Sequence, residues 1–368
     1  MIRLPRPALL FCAFVASALA LSAQQPPNII SPEIHPDHRV TLRLYAPGAS
    51  AVTVQGLAKQ PQAMTKDSQG VWSLTVGPLT PEIYSYTFGL DGATVTDPLN
   101  RAIKKWIRSE SMFEIPGSLA SVENVPHGVI HRHTFFSKTR QLPNAIQVYT
   151  PPGFDPRAAT KYPVVYLLHG FGDDETAWAE NGRANFIADN LFAQKRAVPA
   201  IIVMTNGHPV PIPTGPRPTD YSANNLAAME QEVINEVMPL VESAYPVKQD
   251  AASRAIVGLS MGGGHSLNIG LKHGDLFGWI GGFSSSAPTV NLDQTFRALV
   301  DASAKKSGEP RLLWIAIGED DFLLEQNKTF VGWLTEKNIR HTWLLTPGGH
   351  EWPVWRRYLG EFLPLLFK

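Results

Sequence analysis

The pentapeptide Gly258-Leu259-Ser260-Met261-Gly262 restricts the folding of this chain more than any other stretch. It fits the nucleophile elbow G-x-S-x-G, a sharp strand-to-helix turn in which glycines remove the Cβ atoms that would collide beside the serine. The flanks agree with that turn. Residues Arg254–Val257 read as a short buried strand, and Gly262–His273 as a helix with Gly274 at its C-cap. A strand feeding a helix in this way implies a mostly parallel sheet covered by helices. The turn then lifts the Ser260 hydroxyl above the C-terminal edge of the sheet, where open α/β sheets hold their ligands. A serine hydroxyl reacts only when it is aimed and paired with a base. Met261 follows it, so the Met261 backbone N–H sits at a helix N-terminus, where developing oxyanion charge is stabilised.

On such a sheet the partners of the serine follow in the order carboxylate, then histidine. The apolar run Arg311–Ile317 reads as a strand ending in Gly318-Glu319-Asp320-Asp321, and spacing alone leaves all three carboxylates open. A second strand, His341–Leu345, runs into Thr346-Pro-Gly-Gly-His350, which places His350 on a glycine-flanked loop at the same edge. Its imidazole would take the Ser260 proton and return it to the leaving alcohol. The buried run Tyr162–Leu168 ends in His169-Gly170-Phe171-Gly172, the loop expected to supply a second oxyanion donor from the Phe171 N–H. The side chain of His169 would hold that loop. His265, on the helix behind Ser260, reads as a packing residue. His131 and His133 alternate on a strand without cysteine or carboxylate at metal-ligand spacing, so no metal and no cofactor is expected.

Four separated stretches carry a family resemblance. They are Tyr162–Gly170, Gly182-Arg-Ala-Asn-Phe-Ile-Ala-Asp-Asn190, Arg254–Ser266 and Gly348-Gly-His350. From about Pro126 to Lys368 the chain resembles carbohydrate esterase family 1, and bacterial feruloyl esterases in particular. That resemblance implies an α/β-hydrolase fold and a catalytic acid at the last position of a G-x-[ND]-D turn, here Asp321. It implies the triad Ser260, Asp321 and His350, with oxyanion donors at Phe171 and Met261. Aromatic residues after the family's histidine line the acyl pocket, which makes Trp352 and Trp355 the candidate substrate-binding residues. His265 departs from the family, standing where close relatives often carry a polar amide.

The amino end bears on location. Arg3 and Arg6 precede an apolar run, Ala8–Leu21, and small residues follow it, so residues 1–23 read as a secretory signal peptide cleaved after Ala23, with Ala20 the alternative position. The run is too short for a lasting membrane span. The single cysteine, Cys12, lies within it, which leaves the mature chain without disulfides. The chain carries 32 basic and 32 acidic side chains, and losing Arg3 and Arg6 with the leader leaves two more acidic than basic. That balance creates no broad field for nucleic acid or anionic membrane.

Residues 24–121 differ in texture from the esterase-like region, residues 122–368. Val40–Tyr45, Ala51–Val54, Gly70–Val76 and Ile83–Phe88 alternate as strands between Gly, Pro and Asp-Gly turns, the pattern of a small β-sandwich. Leu44-Tyr-Ala-Pro-Gly48, Val71-Trp72, Tyr84-Ser-Tyr86 and Asp97-Pro-Leu-Asn100 resemble immunoglobulin-like family 48 carbohydrate-binding modules. Trp72 and Tyr84 would be the stacking platform of such a module, unless they fill its core and the sandwich instead walls the active site. Ile107–Pro126 reads as a connector, and Pro209–Pro218 as an irregular surface loop. The expectation is an exported serine esterase acting on feruloyl esters of plant arabinoxylan. The alternatives are an acetylxylan esterase, a sugar acyltransferase, and a glycan-binding protein with an inactive hydrolase domain.

Overall fold

Alternation of buried and more exposed side chains, clearest in Val52–Gln55 and Glu110–Ile115, gives the amino-terminal strands one wetter face and one dry face. In the computed structural model, which describes residues 27–157, 159–304 and 308–368, they form two antiparallel sheets. The expected leader lies outside the described residues. One sheet has the order Glu33–Ile34, Val40–Tyr45, Val71–Val76, Thr65–Lys66; the other is built on Val52–Gln55, Glu82–Leu90 and Glu110–Ile115. Their inner faces enclose Val40, Leu42, Val54, Trp72, Phe88 and Phe113. Two expectations need correction here. Glu110–Ile115, read as part of a connector, is a strand that pairs along Glu82–Tyr86. No glycine or proline turn precedes it, so the sequence gives no punctuation for its start. Trp72 is 7% exposed, and its indole N–H donates to the Ala46 carbonyl inside the sandwich, so it offers no face to a sugar.

The second body is an eight-stranded sheet. Its strands are β1 (Val129–Ser137), β2 (Leu142–Thr150), β3 (Val164–Leu168), β4 (Ile201–Thr205), β5 (Arg254–Leu259), β6 (Trp279–Phe283), β7 (Leu312–Gly318) and β8 (Thr342–Thr346). Their spatial order is β1-β2-β4-β3-β5-β6-β7-β8, with β2 antiparallel to both of its neighbours and every other pair parallel. Continuous apolar runs such as Val164–Leu168 suit strands buried on both faces. One face packs under the helices Ala184–Ala193 and Trp352–Phe362, and the other under Tyr221–Glu232 and Leu324–Glu336. This is the α/β-hydrolase architecture. Connection order reverses around β3, which opens a crevice at the C-terminal ends of β3 and β5.

The elbow falls at that crevice. A Cβ on Gly258 would come within 2.6 Å of the Gly262 backbone, and one on Gly262 would collide with the His169 carbonyl oxygen. The helix begins at Ser260 itself and runs to Lys272, two residues earlier than the hydrophobic pattern suggests. Its C-cap is His273, and Gly274 does not adopt the left-handed conformation expected of it. Gly258 stays in the strand, and Gly262, allowed close to the His169 carbonyl, is helical from the first turn.

Polar ties join the two bodies. Arg356 is buried, and its guanidinium donates to Glu82 Oε1 at 2.9 Å, to the Ile83 carbonyl at 2.6 Å and to the Asn181 carbonyl at 2.5 Å. Asp189 accepts the Tyr149 hydroxyl and the Gly128 N–H, while Asn190 donates to the Leu119 and Ser121 carbonyls. The stretch Gly182–Asn190 therefore anchors the segment between the sheets. Replacing Arg356 with methionine strands two carbonyls and a partly buried carboxylate, so it should destabilise the protein by about 2–4 kcal/mol. A urea titration checks this. Adding Glu82→Gln should recover part of the loss. Among the described residues, no helix is long and apolar enough to cross a membrane.

Candidate active site

Ser260 follows directly on β5 with φ +53°, a left-handed conformation that is costly for a residue bearing a Cβ and that persists only where surrounding structure enforces it. The conformation points its hydroxyl out of the turn. Ser260 Oγ lies 2.9 Å from His350 Nε2, and His350 Nδ1 lies 2.9 Å from Asp321 Oδ2. With Nδ1–H donating to the carboxylate, Nε2 is free to accept the serine proton. Asp321 Oδ1 takes the Leu323 N–H at 2.9 Å. Burial alone would raise the Asp321 carboxyl, yet the hydrogen bonds from His350 and Leu323 outweigh it and hold the group below its ordinary value. It stays charged at neutral pH.

Backbone bonds between the ends of β7 and β8 set this geometry. The Glu319 N–H donates to Thr346, the Asp320 N–H to Gly348 and the Asp321 N–H to Gly318. The turn sends Asp321 inward, while Glu319 and Asp320 remain exposed and Asp320 faces Lys59 at 3.5 Å.

Phe171 and Met261 line the same cavity as Ser260. Two neutral histidines fix the Phe171 loop. His169 Nδ1–H donates to the Gly170 carbonyl, and its Nε2 accepts the Gly207 N–H at 2.7 Å. His208 Nε2 accepts the Gly172 N–H at 3.0 Å, which leaves its Nδ1–H facing the Tyr221 hydroxyl. Burial pushes His169 down to about 4 and His208 down to about 3, so both remain acceptors at neutral pH. His169 thus holds the loop as its position suggested. His208 was not legible: only its place after β4, in Asn206-Gly207-His208, hints at it. The sandwich adds a third tie, as Trp106 Nε1 donates to the Phe171 carbonyl at 2.9 Å.

The cavity holds about 1640 Å³. Trp352 and Trp355 line it and are also buried in the core, so packing and lining are both true of them. Trp355 stands edge-on to His350 with ring centres 4.9 Å apart, and Phe322 lies tilted against the same imidazole at 4.6 Å. The sandwich contributes Tyr84, Lys104 and Trp106 to the wall. Tyr84 stacks on Phe113 and bonds to Thr80, so it borders the cavity rather than forming a platform with Trp72. On the opposite side, His265 is buried, kept neutral by desolvation with its value near 3, and its Nδ1 has no partner. His131 and His133 bond to Thr150 and Tyr245, away from this cavity.

An α/β-hydrolase sheet whose central strand delivers a serine into a hydrogen-bonded histidine and buried aspartate has the arrangement of the serine hydrolases of that fold. Residues 137–366 match the Esterase family, and the chain belongs to it. It is 30% identical over 350 residues to an endo-1,4-beta-xylanase/feruloyl esterase of Xylanibacter ruminicola, a match covering 92% of this chain and 46% of that protein. The chain thus spans about half the length of that relative. Among solved structures, the CE1 ferulic acid esterase of Anaeromyces mucronatus is 27% identical with a TM-score of 0.60, covering 67% of this chain and 92% of that one. The enterobactin esterase of Shigella flexneri, 20% identical with a TM-score of 0.65, covers 89% of this chain and 92% of its own, and shares the fold.

Proposed function

We propose that this protein is an exported serine esterase that hydrolyses feruloyl esters on plant arabinoxylan. Ser260 attacks the ester carbonyl while His350 Nε2 takes its proton, and Asp321 stabilises the imidazolium that forms. The Phe171 and Met261 N–H groups receive the oxyanion. Collapse of the tetrahedral intermediate breaks the bond to the sugar oxygen, which His350 protonates. Water, deprotonated by His350, then attacks the acyl-enzyme and frees ferulate and the Ser260 hydroxyl.

The observation that carries this reading is the cavity around Ser260. Ligand pockets for small molecules typically fall between 300 and 1,000 Å³, and this one, at about 1640 Å³, has room for an aromatic acyl group together with sugar residues. Trp355, Trp352 and Phe322 supply aromatic surface beside His350. An acetyl group alone would leave that surface unused. The resemblance of the whole chain to a xylanase/feruloyl esterase points the same way.

Hydrolysis of methyl ferulate beside acetylated xylan, with Ser260→Ala protein as the blank, tests the proposal. Ferulate release with little acetate is the expected result. Acetate without ferulate would move the assignment to a xylan deacetylase. Feruloyl transfer to an added acceptor alcohol exceeding hydrolysis would make it an acyltransferase.

A further inference from the structure

Asp173 is a carboxyl group in the wall of the active-site cavity, and the reaction described above has no use for it. It stands on the loop that carries the Phe171 N–H. Its Oδ1 is sealed from solvent and has no hydrogen-bond partner. Its Oδ2 shares the surroundings of Gly170 with the nucleophile: a Cβ placed on Gly170 would be 3.9 Å from Asp173 Oδ2 and 3.3 Å from Ser260 Cβ. The carboxyl oxygen is therefore no more than about 7 Å from Ser260 Cβ.

The charges around it leave the carboxyl unpaired. Lys104, the cation facing it from the sandwich, is bonded to Glu110 at 3.0 Å. Asp174, next in the loop, is held by the Thr176 N–H and hydroxyl. Burying an unpaired carboxylate is expensive. Desolvation pushes Asp173 up to about 7, with Lys104 opposing and Asp174 and Glu110 adding to the rise. In the neutral acid the proton belongs on Oδ2, because a dry O–H without an acceptor costs more than an under-satisfied carbonyl oxygen.

We propose that Asp173 is a substrate-binding residue that donates a hydrogen bond from Oδ2 to the sugar portion of the ester, next to the bond that is cleaved. This deepens the feruloyl esterase reading and rests on it. Only atoms a few bonds from the ester reach a group so near Ser260. On the acyl side those atoms are the vinyl carbons, which accept no hydrogen bond, and the phenolic hydroxyl lies beyond the ring. On the alcohol side a pentose presents its ring oxygen and hydroxyls within that reach. Ionisation removes the donor and sets a negative charge near the developing oxyanion. Turnover of sugar esters therefore falls as pH rises through about 7, where the proton is lost.

The test compares the arabinosyl and methyl esters of one acid, using a ferulate pair and an acetate pair. Asp173→Ala should lower the preference for the arabinosyl ester, read as the ratio of kcat/KM values, by about tenfold, the size expected for one neutral hydrogen bond. Asp173→Asn keeps a donor of the same shape. It should preserve most of that preference and lose the decline above pH 7. Equal losses on both esters in Asp173→Ala, or a decline that persists in Asp173→Asn, would overturn the assignment. If the ferulate pair is not turned over while the acetate pair is, the feruloyl reading falls and the Asp173 comparison is read on acetate.

Discussion

Ser260→Ala is expected to lower kcat by about 10⁴-fold or more, leaving only the rate that binding and the oxyanion donors supply. In the proposed mechanism the hydroxyl forms the acyl-enzyme, and His350 Nε2 has no other described proton to take at 2.9 Å. A water could enter the vacated space, but it would lack the covalent intermediate that divides one difficult step into two. Folding should be nearly unaffected. Alanine keeps the Cβ, so the left-handed backbone at φ +53° carries the same strain as before. The measurement is a pre-steady-state assay with an excess of an ester that releases a coloured alcohol, run beside a urea titration. The wild type should show a burst of alcohol equal to the enzyme concentration. The variant should show none, with an unchanged unfolding midpoint. A variant that retains both burst and turnover would remove Ser260 from the mechanism.

The parts of this site that the sequence revealed are those created by local chemistry. Gly258 and Gly262 mark a turn that other residues cannot make, and the apolar runs of β3, β5 and β7 announce strands buried on both faces. His350 is legible because its loop follows a strand end and is rich in glycine. Long-range packing decides the rest. Nothing local distinguishes Asp321 from its two neighbours; the family pattern chose it, and it alone turns inward where Glu319 and Asp320 bond to the end of β8 and Asp321 bonds back to Gly318. His208 meets the Phe171 loop only after β4 lies beside β3. Glu110–Ile115 alternates correctly but lacks a turn before it, and its strand becomes evident only when Glu82–Tyr86 is there to pair with. Arg356 looks like a solvated helix residue, yet it is buried by a sandwich strand more than 270 positions earlier in the chain.

Asp321→Asn should cost about 10⁴-fold in kcat, and Asp320→Asn no more than about threefold. The two carboxylates are adjacent in sequence and opposite in environment. The Asp321 side chain is fully buried and accepts His350 Nδ1–H at 2.9 Å, whereas Asp320 is exposed and meets only Lys59, itself exposed, at 3.5 Å. An asparagine at 321 presents an amide that either donates to Nδ1 or accepts from it without charge. The first arrangement moves the imidazole proton to Nε2, where it blocks the serine. The second leaves the imidazolium without its counter-charge in the transition state. Because the Asp321 carboxyl sits below its ordinary value, it is ionised throughout the neutral range, and the loss should be independent of pH there. The same shift has a stability consequence of definite sign. A carboxyl depressed on folding contributes stability above its unfolded value, and that contribution is lost as pH falls through the folded one. The wild type should therefore lose more stability than Asp321→Asn on acidification. Kinetics at neutral pH and urea midpoints below pH 4 read the two effects separately. A large kinetic loss in Asp320→Asn with a small one in Asp321→Asn would shift the acid by one position and contradict the hydrogen-bonded chain from Ser260.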